Sequence, residues 1–316
     1  MTISKSITRL ITKVYAHFIY FTLIAVAGST DSAIAADSDS GHSPWFAASV
    51  GRTPLTTAAG GAQLEAEETL IGAGTNLVNG ETMTLDLSVD YQYTRYEYIG
   101  IGSRDRDLHR LQFPLHLRTD MGGWQLAGYV APGVSTSSNV MKNLFSEAGS
   151  EDFIITGRVT AERRRGDKAW FAGIAHDRRF GRSRAYPVAG VEFEPHDKVR
   201  VRLAFPDPGV SVAVSPRQSM ALRVFPSGHQ WHVVSNDFEN DFDYRVESWR
   251  GQLSWRLPVW RMLGLDIAAG YEFDRTHYLT ADDGTRLQID VDDQWFAAIR
   301  LRIGDAPFAY THGNGL

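Results

Sequence analysis

Apolar and polar residues alternate along most of the chain, and the clearest stretch is TMTLDLSVDYQYT, residues 82–94. Side chains of a β-strand point alternately to opposite faces, whereas helical apolar residues recur every three or four positions. The pattern therefore predicts strands with one apolar and one polar face. Similar alternation occurs in RLQFPLHLR (110–118), FIITGRVTAER (153–163), SWRGQLSWRL (248–257), LGLDIAAGYEFD (263–274) and the stretch from Leu287 to Ile303.

Turn-forming residues separate these stretches, and the connections between them alternate in length. The short connections are 120–123, 165–167, 195–197, 215–218 and 258–261, and the longer ones are 99–106, 137–150, 180–184, 227–243 and 277–285. Outer-membrane barrels have short periplasmic turns and longer outer loops. The sequence thus predicts an all-β fold, a single antiparallel transmembrane β-barrel of about 12 to 14 strands with periplasmic termini.

Aromatic residues concentrate near the predicted strand ends, as in the interfacial girdles of a membrane barrel. One group would lie at the outer side and a second near the short turns. The outer group is Tyr91, Tyr93, Tyr96, Tyr98, Tyr271, Phe273 and Tyr278, and the second group is Trp124, Trp255 and Trp260. The alternative is a soluble periplasmic β-sandwich that binds a ligand, in which these aromatic residues pack at the ends of the strands.

The N-terminus predicts export through the general secretory route. Lys5, Arg9 and Lys13 precede the apolar run VYAHFIYFTLIAVAG, and small residues follow before Ala36. This order of basic, apolar and small residues is typical of a cleavable signal peptide. We therefore predict a signal peptide at 1–36 and an outer-membrane β-barrel domain at 37–316.

Composition narrows the function classes. The chain has no cysteine, which excludes disulfides and thiolate chemistry. Its net charge is −5, whereas nucleic-acid binding calls for a basic surface. Partners expected of an outer-membrane barrel in a Gram-negative bacterium are lipid, lipopolysaccharide and the barrel-assembly machinery; we expect no nucleic acid, and the solute is unknown.

The polar faces of the predicted strands carry charges of both signs, and we interpret these residues as lining the lumen. They are Asp86, Asp90, Arg110, Arg118, Arg158, Glu162, Arg200, Arg202, Arg250, Arg256, Asp266, Glu272, Asp274, Arg300 and Arg302. Such a set can create a transverse field that sorts solutes in a water-filled pore. It can equally form a ladder of salt bridges that plugs the lumen, and spacing along single strands does not decide between the two.

Two candidate chemistries have weaker patterns. Ser227, His229 and His232 in SGHQWH could belong to a lipid hydrolase, but no G-x-S-x-G motif is present and the chemistry requires a Ser beside an oriented His. The second candidate is the binding of a divalent cation by clustered acidic residues, but their spacing matches no EF-hand. These residues are Asp237, Glu239, Asp241, Asp243, Asp282, Asp283, Asp290, Asp292 and Asp293. We therefore predict no enzyme, catalytic residue, metal or cofactor, and the hydrolase remains the alternative.

Residues 186–224 and GLDIAAGYEFDRTHYL resemble a bacterial family of outer-membrane β-barrels of unknown function. The shared pattern comprises Gly190 to Pro195, Val199 to Leu203, Phe205 to Gly209 and Gly270 to Arg275. The resemblance implies a fold and a compartment. The terminal YTHGNGL departs from the C-terminal aromatic residue common in such barrels. The sequence thus favours an outer-membrane barrel that serves as a passive pore or a structural component.

Overall fold

The computed structural model describes residues 44–100, 106–235, 240–260 and 262–304. The predicted signal peptide and the segment Pro307 to Tyr310 lie outside these residues. The strands are β1 (Trp45–Thr57), β2 (Gln63–Asn79), β3 (Met83–Ile99), β4 (Arg106–Gln112), β5 (Leu115–Met121), β6 (Trp124–Ser137), β7 (Phe153–Arg165), β8 (Lys168–Asp177), β9 (Arg184–His196), β10 (Val199–Phe205), β11 (Gly209–Ser215), β12 (Gln218–Pro226), β13 (His229–Ser235), β14 (Asn240–Trp260), β15 (Leu263–Ala281), β16 (Arg286–Val291) and β17 (Gln294–Ile303).

These 17 segments form one sheet that closes into a ring of 14 strands, because three strand lines are interrupted. β4 and β5 share one line on either side of Pro114, β12 and β13 share a second, and β16 and β17 share a third. β17 pairs with β1 in antiparallel register from Phe46 opposite Ile303 to Arg52 opposite Ala297, which closes the ring. The predicted antiparallel barrel is confirmed at the upper end of the predicted strand count.

The outside of the barrel carries an exposed apolar belt. One residue from each of ten strands shows it, with exposed fractions of 38% or more: Val89, Leu117, Val130, Val159, Ile174, Leu203, Leu222, Leu253, Ile267 and Ile299. On β14 the belt runs from Trp249 to Val259, which is the length that a tilted strand needs to cross a bilayer, about 9 to 11 residues. These faces point outward around a closed ring, so the alternative of a β-sandwich with two packed apolar sheets is wrong.

Several strands continue beyond the belt at the end of the barrel that carries the longer connections, which we call the outer end. There the polarity of the two faces reverses. On β14 the inward side chains Phe242, Tyr244 and Val246 are apolar and buried, while Arg245 and Glu247 point outward. β7 to β11 stop below this region, and β6 meets β13 in a parallel pairing between Thr136 and His232. The result is a narrower extension with an apolar interior, which we call the head.

The head corrects part of the predicted strand map. The predicted connection 227–243 contains β13 and the start of β14, and the predicted connection 277–285 contains the end of β15. Both stretches lie outside the apolar belt, where the faces exchange their polarity. Two short helices, Ser138–Lys142 and Leu144–Glu147, follow β6 at the outer end. No helix in the described part of the chain is long and apolar enough to cross a membrane.

Candidate functional site: the barrel interior

The inner part of the lumen contains a cavity of about 580 Å³, which we call the inner cavity. Seven of the predicted lumen residues line it, and they come from β3, β5, β7 and β10. They are Asp86, Asp90, Arg118, Arg158, Glu162, Arg200 and Arg202. Asn76, Thr84 and Gln125 near the short turns also line it, so the cavity extends to the inner end of the barrel.

Ion pairs along one side of the inner cavity involve residues that the sequence interpretation missed. Arg200 lies 2.8 Å from Glu194 and 3.5 Å from Glu192, and Arg202 lies 3.3 Å from Glu192. Glu192 and Arg202 are direct partners in the β9–β10 register. The alternation in VEFEPHDKVRVRL carries this signal, since a hairpin across 197–198 places the glutamates opposite the arginines.

Another part of the barrel wall carries a second set of inward charges, on β14, β15 and β17. Asp266 accepts a hydrogen bond of 2.8 Å from Arg302 Nε and lies 3.5 Å from Arg256. Arg300 is the register partner of Asp266 on β17. This set therefore behaves as the salt-bridge ladder that the sequence left open as an alternative to a pore.

A third set, which we call the ion-pair layer, crosses the lumen between the inner cavity and the head. Arg250 on β14 lies 3.3 Å from Glu68 on β2 and 3.5 Å from Glu272 on β15. Arg275 lies 3.5 Å from Glu272, and Ser248 Oγ donates a 2.8 Å hydrogen bond to that carboxylate. β15, β17 and β1 separate β14 from β2 around the wall, so the contact between Arg250 and Glu68 spans the interior.

Arg110 on β4 extends the polar interior next to the ion-pair layer. Its guanidinium donates a hydrogen bond to Gln92 and lies 3.3 Å from His229 Nδ1. Gln92 also binds Glu68, so hydrogen bonds connect β4 to β2 through β3.

The interior of the head is closed by Tyr96, Tyr98, Trp231, Tyr244 and His277, which we call the aromatic plug. All five are at most 7% exposed, and they pack with apolar residues from β2, β4, β13, β14 and β16. The Tyr98 and Tyr244 hydroxyls lie 2.7 Å apart, and each lies 2.7 Å from His277 Nδ1. Burial raises the pKa of Tyr98 to about 12 and lowers that of His277 to about 3.

Several predicted positions are wrong, and the reasons differ between strands. Tyr96 and Tyr98 belong to the aromatic plug instead of an outer girdle, and Ile289 and Val291 also point into the head. Asp274 is exposed at a bulge with φ of 55°, where β14 passes from Glu247 to Trp249, so it does not share the inward face of Glu272. On β15 the bulge shifts the alternation, so Arg275 and His277 point inward. On β3 the inward positions Gln92, Thr94, Tyr96 and Tyr98 stay in phase, and only their polarity changes.

The candidate hydrolase residues have other partners. Ser227 Oγ lies 2.8 Å from Ser248 Oγ, and the His229 ring packs against Trp231 and Arg110. His232 Nδ1 lies 3.8 Å from Asp243 Oδ1, and this carboxylate raises the pKa of the imidazole. The described structure therefore shows no Ser227 hydroxyl within hydrogen-bond distance of an imidazole, which the chemistry requires.

The acidic residues are also dispersed. Asp237 and Glu239 lie outside the described residues. Asp243 accepts a 2.8 Å hydrogen bond from Gln230, and Asp283 accepts one of 2.8 Å from the Thr285 backbone N–H. Among the residues that the structure describes, no group of three or more His, Asp or Glu side chains could hold a metal ion.

Comparisons with known proteins found no matching family model and no matching curated sequence. The chain is similar to solved structures of outer-membrane proteins. An outer-membrane channel from Pseudomonas putida F1 has 10% identity and a TM-score of 0.45, with 86% of this chain and 99% of that chain covered. The toluene transporter TodX of P. putida has 8% identity and a TM-score of 0.43, with 84% and 91% covered.

The translocator domain of the autotransporter NalP from Neisseria meningitidis has 11% identity and a TM-score of 0.35, with 92% of this chain and 96% of that chain covered. These likenesses are weak, and the fold assignment rests on the strand register and the apolar belt of this chain.

Proposed function

We propose that the protein is an outer-membrane channel of a Gram-negative bacterium, closed at its outer end in the conformation described here. The observation that carries the proposal is the aromatic plug, which fills the head above a lumen that contains the inner cavity. A cavity of this volume is in the range of sites for small organic molecules, about 300 to 1,000 Å³. A purely structural barrel would not require such a space.

The closed ring and the apolar belt support the outer membrane as the compartment of the protein. A closed barrel leaves no unpaired strand edge in the bilayer, and its apolar belt requires lipid as its surroundings. Barrels of this kind occupy the outer membrane, where lipopolysaccharide and the barrel-assembly machinery are the expected partners. The ion-pair layer supports a closed state as well, because its charges satisfy each other across the lumen.

Conductance in a planar lipid bilayer tests the proposal. The wild-type protein should be silent, and the triple variant Trp231→Ala, Tyr244→Ala, Arg250→Ala should give discrete conductance steps, because two fully buried rings leave the plug and the ion-pair layer loses the guanidinium that crosses the lumen. Trp295→Ala, in the outward belt, is the matched control and should stay silent. Steady wild-type conductance would contradict the closed state. A folded plug variant that remains silent would favour the structural barrel.

A further inference from the structure

Among the turns that the structure describes at the inner end of the barrel, the one that joins β7 to β8 is the most basic. Its sequence, RRRGDK at 163–168, carries four cations and one carboxylate. In contrast, the β2–β3 turn carries Glu81, and the β9–β10 turn carries Asp197 beside Lys198. Positive charge in the described inner turns is therefore concentrated on the β7–β8 hairpin.

The strand register shows which of these side chains face the membrane. Arg163 is the direct partner of Trp170, which is 56% exposed on the outside of the barrel. Arg165 and Lys168 are partners two positions further along each strand, so they share this outward face. Glu162 has the opposite direction and lines the inner cavity. We call the three outward cations, Arg163, Arg165 and Lys168, the basic patch.

Two outward tryptophans flank Arg163 and mark its depth in the membrane. Its guanidinium carbon lies 5.3 Å from the centroid of the Trp124 ring on β6, within the range of a cation–π contact. Trp170 on β8 is its neighbour on the other side. Tryptophans on the outside of membrane proteins concentrate at the level of the lipid headgroups. The basic patch therefore lies where headgroups, and not acyl chains, contact the barrel.

The outward surface next to the tryptophans, toward the middle of the apolar belt, consists of small side chains. Ala161, Ala172 and Ala189 are direct partners across β7, β8 and β9. Val159 and Ile174 form the next outward row on β7 and β8, and both are exposed. The alanines thus leave a shallow depression between the tryptophans and this bulkier row. An acyl chain that extends from a headgroup at the basic patch can pack against this depression.

The basic patch differs from the outward cations of the head, which have carboxylate neighbours. Arg95 lies 3.6 Å from Glu97, and Arg245 lies 3.4 Å from Glu247. Within the described part of the chain, the three cations of the basic patch form no ion pair, and their turn contributes one carboxylate, Asp167. This lipid-facing hairpin therefore carries a net positive charge. A charge beside a low-dielectric phase is stabilised by a counter-charge, which the membrane can supply.

We propose that the basic patch binds the phosphate headgroup of an anionic phospholipid in the leaflet at the inner end of the barrel. The guanidinium and ammonium groups donate hydrogen bonds to the phosphate oxygens, and an acyl chain lies over the alanine depression. The short turns of outer-membrane barrels are periplasmic, so this leaflet is the phospholipid leaflet of the outer membrane. The site is on the outside wall and is independent of whether the lumen conducts.

Lipid binding to the full-length protein in a non-ionic detergent, measured by native mass spectrometry, tests the proposal. Wild type should bind dioleoyl-phosphatidylglycerol at least about tenfold more tightly than zwitterionic dioleoyl-phosphatidylcholine. The double variant Arg163→Gln, Lys168→Gln should lose this preference, because two of the three cations of the basic patch are removed. Equal binding of the two lipids to wild type would overturn the proposal. Tighter binding of lipid A than of phosphatidylglycerol would overturn the assignment to a phospholipid.

The matched control is the double variant Lys198→Gln, Arg217→Gln. It also removes two exposed positive charges from inner turns, but from the β9–β10 and β11–β12 turns. The net charge of the protein changes by the same amount in both double variants, so only the location differs. The control should keep the wild-type preference for phosphatidylglycerol. An equal loss of the preference in the control would overturn the assignment of the site to the β7–β8 hairpin.

Asp167→Asn should increase binding, a result that a folding defect cannot produce. The substitution removes the single negative charge of the turn, so phosphatidylglycerol should bind about threefold more tightly at low salt. Binding of phosphatidylcholine should not change. An affinity for phosphatidylglycerol no higher than that of wild type would contradict an electrostatic site at this hairpin. Neither lipid measurement bears on the conductance of the plug variant.

Discussion

At the residue scale, His277 lies at the centre of the aromatic plug between two tyrosine hydroxyls. Its Nδ1 is 2.7 Å from the hydroxyl oxygens of both Tyr98 and Tyr244, and the Tyr96 ring packs edge-on at 5.1 Å. Arg275 adds a nearby positive charge that further lowers the pKa of the imidazole, after the larger effect of burial. The neutral imidazole is therefore part of the closed head, and its protonation opposes that state.

This arrangement predicts a loss of stability in acid. The pKa of an unfolded histidine is about 6.5 and that of His277 is about 3. As the pH falls from about 6.5 toward 3, the unfolded chain takes up a proton that the folded protein does not bind. The free energy of unfolding should fall by up to about 1.4 kcal/mol per pH unit from this group, and no such change should occur above about pH 7.

Urea unfolding in detergent between about pH 7 and about pH 5, followed by tryptophan fluorescence, measures this slope. His277→Gln should unfold with a shallower pH dependence than wild type, whatever its absolute stability. His196→Gln, at the exposed last residue of β9 near the inner end, is the control. Equal slopes for wild type and His277→Gln would contradict the prediction.

At the scale of strands, the sequence predicted the membrane-crossing segments well. Lipid on one side and charges on the other impose a period of two, and that is what Leu253, Trp255 and Leu257 follow on β14. The head keeps the same period of two, but its apolar side chains face the interior. Alternation alone therefore could not show that Tyr244 points inward. The shortness of the strands around Asp207 and Pro208 was visible in the sequence, but the gap that it leaves in the barrel wall between β9 and β12 depends on the register.

The candidate site could be predicted only in part for a related reason. Single strands show which residues share a face, as with Asp86 and Asp90. They do not show which side chains meet across the lumen, as Arg250 and Glu68 do. Those contacts depend on the curvature of the closed ring and on long-range register.

The connection 178–183 between β8 and β9 yields a prediction at the same scale, since its Arg179 carbonyl accepts a 2.7 Å hydrogen bond from the Gly228 backbone N–H next to β13. A Cβ atom at Gly228 would lie 2.5 Å from Gly181 N and 2.6 Å from Val246 O, both of them backbone atoms that cannot rotate away. Gly228→Ala should therefore push the connection off β13, at a cost of about 1 to 3 kcal/mol. Hydrogen exchange of the amides in 178–183 should become faster.

Gly251→Ala provides the control, because nothing lies within 4 Å of the added Cβ atom and the residue is on the same strand, β14, as Val246. Its exchange pattern in 178–183 should match wild type. If Gly228→Ala also matched wild type, the connection would not depend on its contact with β13.

At the scale of the whole molecule, the barrel has two unlike ends. The inner end carries tight turns such as Gly122-Gly123, with φ of 57° and 82°, and the wide part of the lumen. The outer end carries the head, whose outward side chains include Arg95 and Glu97 and whose interior is apolar. Such polarity suits a segment that projects into water beyond the bilayer, so the head should face the cell exterior.

Cysteine labelling of intact cells tests this orientation, since the native chain contributes no thiol. Asp282→Cys, in the connection after β15, should react with a membrane-impermeant maleimide on intact cells, because it lies exposed at the outer end. Asp167→Cys, in the turn between β7 and β8, should react only after the outer membrane is permeabilised. Both residues lie in exposed turns, so local accessibility is matched and the membrane is the remaining difference. The opposite labelling order would place the head in the periplasm, and the aromatic plug would then close the inner end of the lumen instead.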